Sequence, residues 1–327
     1  MNILVTGAGG FLGGHVCRRL VENGYSVIAL VKEKREYPLL KINNIEFLYG
    51  DITNISSLKG AVDRCEAVFH LAAVNSFDKK DKNLFYKVNV GGTNNVLQLL
   101  KGYKDKRLVF TSTRGTLGHR PNFEPVNELD TATPEDLVDD YLKSKFIAEK
   151  NVAEAIERGL DGVIVNPTAL IGPFDIKPSP IGKIILSLLQ NKLPVYVGGG
   201  INLVDVRDVA MGHVLAFNKG KTGERYILGN VDIKIKDFLR LVSKYSGIPM
   251  PKIELPYYPA LVGASILEII GKITKITPLI SSAKIKTAKL TNFSSIEKAQ
   301  KYLDYQPISI NDTIKDTIKW FKEENRL

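Results

Sequence analysis

Across about the first 170 residues, short β-branched and apolar runs alternate with longer stretches in which apolar residues recur every third or fourth position. Runs at 3–6, 26–31, 46–49, 67–71, 107–111 and 162–166 predict six strands. Between them, Phe11, His15, Val16 and Leu20, and later Val88, Val96, Leu99 and Leu100, share single helical faces. Strand, helix and strand in this rhythm make βαβ units, which wind a parallel sheet with helices on both faces. The expected fold class is α/β, a doubly wound parallel sheet with a smaller, mostly C-terminal region.

After Asn166 the texture changes. Pro167, Pro173, Pro178, Pro180 and Pro194, with Gly172, Gly182 and the run from Gly198 to Gly200, cut the chain into shorter elements. Residues 1–166 are therefore expected to form one domain and 167–327 mainly a second region. The stretch 203–217 reads as a short strand entering a helix, so about 201–229 is expected to return to the first domain. The segment 259–270 is strongly apolar, with Leu261, Val262, Ile266, Leu267, Ile269 and Ile270, but it holds Glu268 and is followed by Lys272 and Lys275. It is too short to cross a bilayer, and burial in the second region is expected, with a helix lying at a membrane interface as the alternative.

Composition narrows the classes. At 327 residues and 44% apolar the chain can bury a large core. No window reaches roughly 18 uninterrupted apolar residues, and the start Met1-Asn2-Ile3-Leu4-Val5-Thr6 lacks a basic leader, so no membrane span and a cytoplasmic location are expected. The net charge is +10, but the lysines are spread along the chain without a basic block or an interleaved aromatic platform, which argues against nucleic acid as a partner. Cys17 and Cys65, and the scattered His15, His70, His119 and His213, show no metal-ligand spacing, so no metal is expected.

The stretch Thr6-Gly7-Ala8-Gly9-Gly10-Phe11-Leu12-Gly13 joins the first strand run to the first helical pattern. Glycines in such a turn allow positive φ, close approach to a pyrophosphate and tight helix-on-strand packing, and the helix N-terminus offers free N–H groups to phosphates. Gly7, Gly10, Phe11, Leu12 and Gly13 are thus dinucleotide-binding candidates. After the second strand comes Lys32-Glu33-Lys34-Arg35, where a base rather than an acid suits a 2′-phosphate. Lys32, helped by Lys34 or Arg35, favours NADP(H), with Glu33 leaving NAD(H) open. Asp51 and Ile52 end the third strand beside the expected adenine pocket, although a turn aspartate is the plainer reading of Asp51.

Tyr141-Leu142-Lys143-Ser144-Lys145 places a tyrosine and a lysine four apart, on one helical face. A phenol near pKa 10 is a poor acid–base group at neutral pH, and an adjacent ammonium is expected to lower that value. Thr113, or Ser112, supplies a hydroxyl to hold the substrate oxygen while Tyr141 exchanges its proton.

With these motifs together, the chain resembles the extended short-chain dehydrogenases/reductases of the NAD-dependent epimerase/dehydratase superfamily over essentially its whole length, through TGxxGxxG and YxxxK. Within it, the stretches 141–150, 163–180 and 223–229 resemble dihydroflavonol 4-reductase-like proteins and hopanoid-associated sugar epimerases. The resemblance implies that Thr113 is the active-site hydroxyl and that Leu71, Ala72 and Ala73, after His70, line the cofactor. It also implies that Asn89 lies near the active site and that Asn166, Pro167 and Thr168 are cofactor landmarks. Val74, Asn75, Arg114 and Asp175 become substrate candidates, and a homodimer through helices near 81–101 and 139–158 is implied.

One departure matters. Members acting on sugar nucleotides usually clamp the diphosphate with an arginine where this chain has Ile201, and Asp205 replaces a histidine. Arg207 is a conceivable substitute, and Asp208 reads as a helix N-cap. The reading is therefore a small-molecule carbonyl reductase or alcohol dehydrogenase, with an internally recycling sugar epimerase or dehydratase as the alternative and a non-catalytic dinucleotide-binding regulator as a third.

Overall fold

In chain order the strands are β1 (Asn2–Thr6), β2 (Ser26–Val31), β3 (Ile45–Tyr49), β4 (Ala67–His70), β5 (Arg107–Thr111), β6 (Gly162–Pro167), β7 (Ala169–Ile171), β8 (Val195–Val197), β9 (Gly200–Asp205), β10 (Arg225–Leu228), β11 (Val231–Lys234) and β12 (Ile253–Leu255). The helices are α1 (Phe11–Glu22), α2 (Lys59–Asp63), α3 (Lys82–Phe85), α4 (Thr93–Leu100), α5 (Asp140–Glu157), α6 (Pro180–Leu189), α7 (Val206–Lys219), α8 (Ile235–Ser246), α9 (Tyr257–Thr274), α10 (Glu297–Leu303) and α11 (Ile310–Glu323). This computed structural model describes residues 1–75, 82–274 and 292–324, without the side chains of 268–274.

Seven parallel strands form one sheet in the order β10-β6-β5-β4-β1-β2-β3. Successive strand residues point to opposite faces and feed two cores. Ile3, Val5, Val27, Ala29, Val163 and Val165 pack toward α1 and α7. Leu4, Ile28, Leu108, Phe110 and Ile164 pack with Val96, Leu100, Ala148 and Val152 of α4 and α5. Burial on both faces is why these strands read as continuous apolar runs. The strand order reverses beside β1, and that switch point opens a crevice at the carboxyl ends of the strands.

The seventh strand, β10, pairs with β6, and α7 packs on α1, so both lie with the large sheet, while β9 belongs elsewhere. The second region holds a sheet of order β11-β9-β7 and the pair β12-β8. Its core gathers Ile185, Leu188, Phe238, Leu239, Ile318 and Phe321 from α6, α8 and α11.

Burial of 259–270 does not hold. Among the described side chains of α9 only Ala260 and Ala264 are buried, while Tyr258, Val262, Ile266 and Leu267 are exposed. The two alanines, with Tyr257 and Leu261 beside them, occupy the packed face while other large residues lie open, and composition alone does not separate the two. Glu268, Ile269, Ile270 and Lys272 lie among the undescribed side chains, and Lys275 and Asp81 lie outside the described residues. No helix among the described residues is long and apolar enough to cross a membrane.

Candidate active site

The glycine turn sits between β1 and α1 as its sequence demands. Gly7 has φ +74°, and a Cβ there would lie 2.7 Å from the Ala72 amide nitrogen, so only glycine lets the loop after β4 approach. A Cβ on Gly13 would strike the Gly7 carbonyl oxygen. Gly10 opens α1 without a side-chain cap, and no acid occupies the first turn. Phe11, Leu12 and Gly13 therefore present helix N-terminal N–H groups to the cavity, a cradle that fits a dinucleotide's phosphates. This cavity, of about 800 Å3, runs along the carboxyl edge of the sheet.

At the end of the cavity beside β2 and β3, Lys32 forms an ion pair of 2.7 Å with Asp51. Asp51 also accepts the Thr53 N–H at 2.9 Å, the turn-aspartate arrangement. Burial raises and the Lys32 contact lowers the Asp51 pKa, with a net downward shift. Ile52 lines the cavity, as does Arg35, which lies 4.8 Å from the Tyr37 ring, whereas Lys34 turns to the Tyr49 ring and stands outside.

At the other end α5 begins on Asp139, whose carboxylate accepts the Leu142 N–H at 2.8 Å. This start aims Tyr141 and Lys145 into the cavity, which the Thr113 side chain also lines. The expected lowering of the tyrosine pKa is not found. Burial pushes Tyr141 up to about 12 and outweighs the opposing influence of the nearby Thr113 hydroxyl, while Lys145 points its ammonium at the Thr111 carbonyl oxygen, 2.7 Å away. Burial also draws Lys145 down to about 8 against the opposing pull of Glu149. Its ammonium lies 4.5 Å from the Phe110 ring, a contact that favours the charged form.

Leu71, Ala72, Ala73, Pro167 and Thr168 line the same cavity, as do Val74, Asn75, Arg114 and Asp175. Two predicted residues stand behind it. Asn89, on the wide π-helical turn Tyr86–Gly92, accepts the Val74 N–H at 2.8 Å and donates to the Val74 carbonyl and the Ser144 hydroxyl. Asn166, fully buried, donates to the Thr113 carbonyl, to Thr116 and to Glu149. Both position cavity walls from the far side. Asp175 is 1% exposed and spends both carboxylate oxygens on the Ser179 N–H. Arg114 is also buried and donates to Ser294, Asn292 and the Phe293 carbonyl, which ties segment 292–294 to the loop after β5.

Sequence reasoning missed two supports. Glu149 accepts from Ser112, from Thr116 at 2.6 Å and from Asn166 at 3.1 Å. His70 completes a chain in which Ala72 N–H donates to Thr6, Thr6 to His70 Nδ1, His70 Nε2 to Thr93, and Thr93 to the Asn89 carbonyl. That chain fixes its neutral tautomer, and burial brings its pKa to about 3. Glu149's spacing of four from Lys145 is the one signal that was available for it.

Arg207 does not substitute for the missing arginine. Asp205 and Asp316 each hold it at 2.7 Å, and it is absent from the cavity wall. The N-cap of α7 is Asp205, while Asp208 accepts the Ile308 N–H, so the capping role expected of Asp208 belongs three residues earlier. Among the described residues, no group of three or more metal-ligating side chains gathers.

A dinucleotide cradle at the switch point and a tyrosine–lysine pair on the helix before β6 define an oxidoreductase, and the chain belongs to the NAD dependent epimerase/dehydratase family, whose model matches residues 3–229. A Synechocystis sp. protein named after dihydroflavonol 4-reductase is 36% identical over 97% of this chain and 94% of its own length. Sterol demethylase protein B of Methylococcus capsulatus is 30% identical over the whole of both chains. The crystal structure of gox2253 superposes with a TM-score of 0.88 at 34% identity, covering 99% of each chain.

Proposed function

We propose that the protein is an NAD(P)-dependent reductase or alcohol dehydrogenase acting on an apolar small molecule. The observation that carries this reading is the meeting of Thr113, Tyr141 and Lys145 in a cavity whose substrate end is walled by Val74, Leu84, Val88, Val138, Leu142, Leu170, Ile181 and Ile201. Such a wall favours ring systems and alkyl surface, and Ile201 offers nothing to a diphosphate. The names of the two relatives, a flavonoid reductase and a sterol demethylase protein, point to fused-ring substrates of the same character.

When bound, the nicotinamide ring supplies or accepts the hydride. Thr113 holds the substrate oxygen, and Tyr141, a neutral phenol at physiological pH, donates its proton to that oxygen as the carbonyl is reduced. Lys145, charged below about pH 8, stabilises the phenolate left behind until solvent returns the proton. In oxidation the same proton moves the other way. Lys32 and Arg35 at the adenosine end support NADP(H) over NAD(H).

The test is an initial-rate panel of apolar cyclic ketones with NADPH and NADH, followed at the nicotinamide absorbance and repeated with Tyr141→Phe. Ketone-dependent oxidation of NADPH, lost in the variant, supports the reading. Conversion of a sugar nucleotide without added cofactor contradicts it.

A further inference from the structure

The second region sends one cation to the phosphate end of the dinucleotide site. On the outer side of the glycine turn a small hollow of about 90 Å3 is lined by Gly9, Gly10, Phe11, Arg35, Tyr37 and Lys177. Lys177 also lines the main cavity, so it stands where the two spaces adjoin the N-terminus of α1. It is exposed and, among the described residues, forms no ion pair.

The turn that carries Lys177 is built to hold it there. Gly172 has φ +151°, and a Cβ at that position would lie 2.6 Å from a Val206 methyl. Phe174 adopts φ +66°, a strained conformation for a bulky residue, with its ring 6.0 Å from His15 and 6.1 Å from Trp320. His15, one turn into α1, donates from Nε2 to the Pro173 carbonyl at 3.1 Å. Burial draws its pKa to about 4, so this neutral link persists at physiological pH. Asp175 accepts the Ser179 N–H at 3.0 and 2.8 Å, and Ser179 caps α6. The helix whose N-terminus faces the phosphates therefore also anchors the loop that presents Lys177.

We infer that Lys177 is a dinucleotide-binding residue, a cation from the second region that closes over the cofactor's diphosphate opposite the glycine turn. The inference rests on the proposed function. It adds that the second region grips the cofactor itself as well as shaping the substrate end. The diphosphate is favoured over the 2′-phosphate because Lys177 adjoins Gly10 and Phe11, where helix N–H groups open; Arg35 and Glu36 share its hollow, so comparing NADPH with NADH separates the two phosphates.

The experiment is fluorescence titration of the full chain and of Lys177→Ala with NADH and with NADPH, and calorimetry with ADP and with adenosine. Loss of one solvent-screened, charge-assisted contact should weaken NADH, NADPH and ADP in parallel, by roughly tenfold at low salt, and leave adenosine unchanged. Lys177→Arg should restore most of the affinity, and the melting temperature of both variants should match the parent. Unchanged dinucleotide affinity overturns the assignment, as does weakening confined to NADPH, which would place Lys177 on the 2′-phosphate. If the parent chain binds neither NADH nor NADPH, the proposed function falls and this inference with it.

Discussion

Glu149 stands one helical turn beyond Lys145 on α5, and its buried carboxylate favours the lysine's charge against burial. The same carboxylate accepts from Ser112, Thr116 and Asn166, so one group both biases the lysine and fixes the loop that carries Thr113.

Glu149→Gln should therefore move the alkaline limb of the pH–rate profile to lower pH. Lys145 loses its proton near pH 8, and removing the carboxylate makes the charged form harder to hold. A shift of about one pH unit is expected, with a loss of roughly 1–3 kcal/mol in stability from the disturbed buried network. An unmoved limb would assign Glu149 a packing role only.

Lys145→Met tests the cost of the buried ammonium. Its folded pKa, about 8, lies below the unfolded value of about 10.4. Between those values the unfolded chain holds the proton and the folded chain does not, so this residue makes stability rise with pH across that window and carries its full penalty below it. The variant should flatten that slope, raise the melting temperature at pH 7 by about 2–4 °C, and lose turnover. Calorimetric scans from pH 6 to pH 10, on the order of one per unit, check it; a lower melting temperature at pH 7 contradicts it.

Tyr141→Phe should reduce turnover by roughly 100- to 10,000-fold while dinucleotide affinity stays within about threefold. In the parent, Tyr141 remains a neutral phenol well above neutrality, its pKa being about 12. Ketone reduction should then show no tyrosine-linked loss up to pH 9, whereas alcohol oxidation, which needs the phenolate, should climb about tenfold per pH unit where that step limits the rate.

Gly7→Ala places a methyl group against the Ala72 backbone at a φ of +74°. The backbone strain alone is worth roughly 1–3 kcal/mol, and the displaced loop after β4 should abolish dinucleotide binding. Retained NADPH binding by titration would mean that the turn is not the phosphate cradle.

The sheet is legible in the chain because buried parallel strands must be apolar on both faces, and β1, β2, β5 and β6 announce themselves as short β-branched runs. Tyr141 and Lys145 are legible because a spacing of four has one meaning on a helix. Which side of a wall a polar residue faces is not. Asn166 is the penultimate residue of β6, among apolar neighbours, and its side chain turns away from the cavity toward Glu149. Asn89 sits on a π-helical turn whose register departs from the ordinary period. Glu149 carries no signal beyond its spacing of four from Lys145 until tertiary structure closes over it, and the apolar α9 reads as core until its alanines take the packed face.

The most direct test of hydride transfer with net redox change is to supply NADPH deuterated at nicotinamide C4, on each face in turn, with an apolar ketone that the parent chain turns over. Both the products and the cofactor are then quantified by mass spectrometry. Deuterium on the new carbinol carbon from one of the two faces, with one cofactor oxidised per alcohol formed, is the predicted result. An isomerised product with the cofactor pool unchanged would place the chain among the internally recycling epimerases and contradict the account.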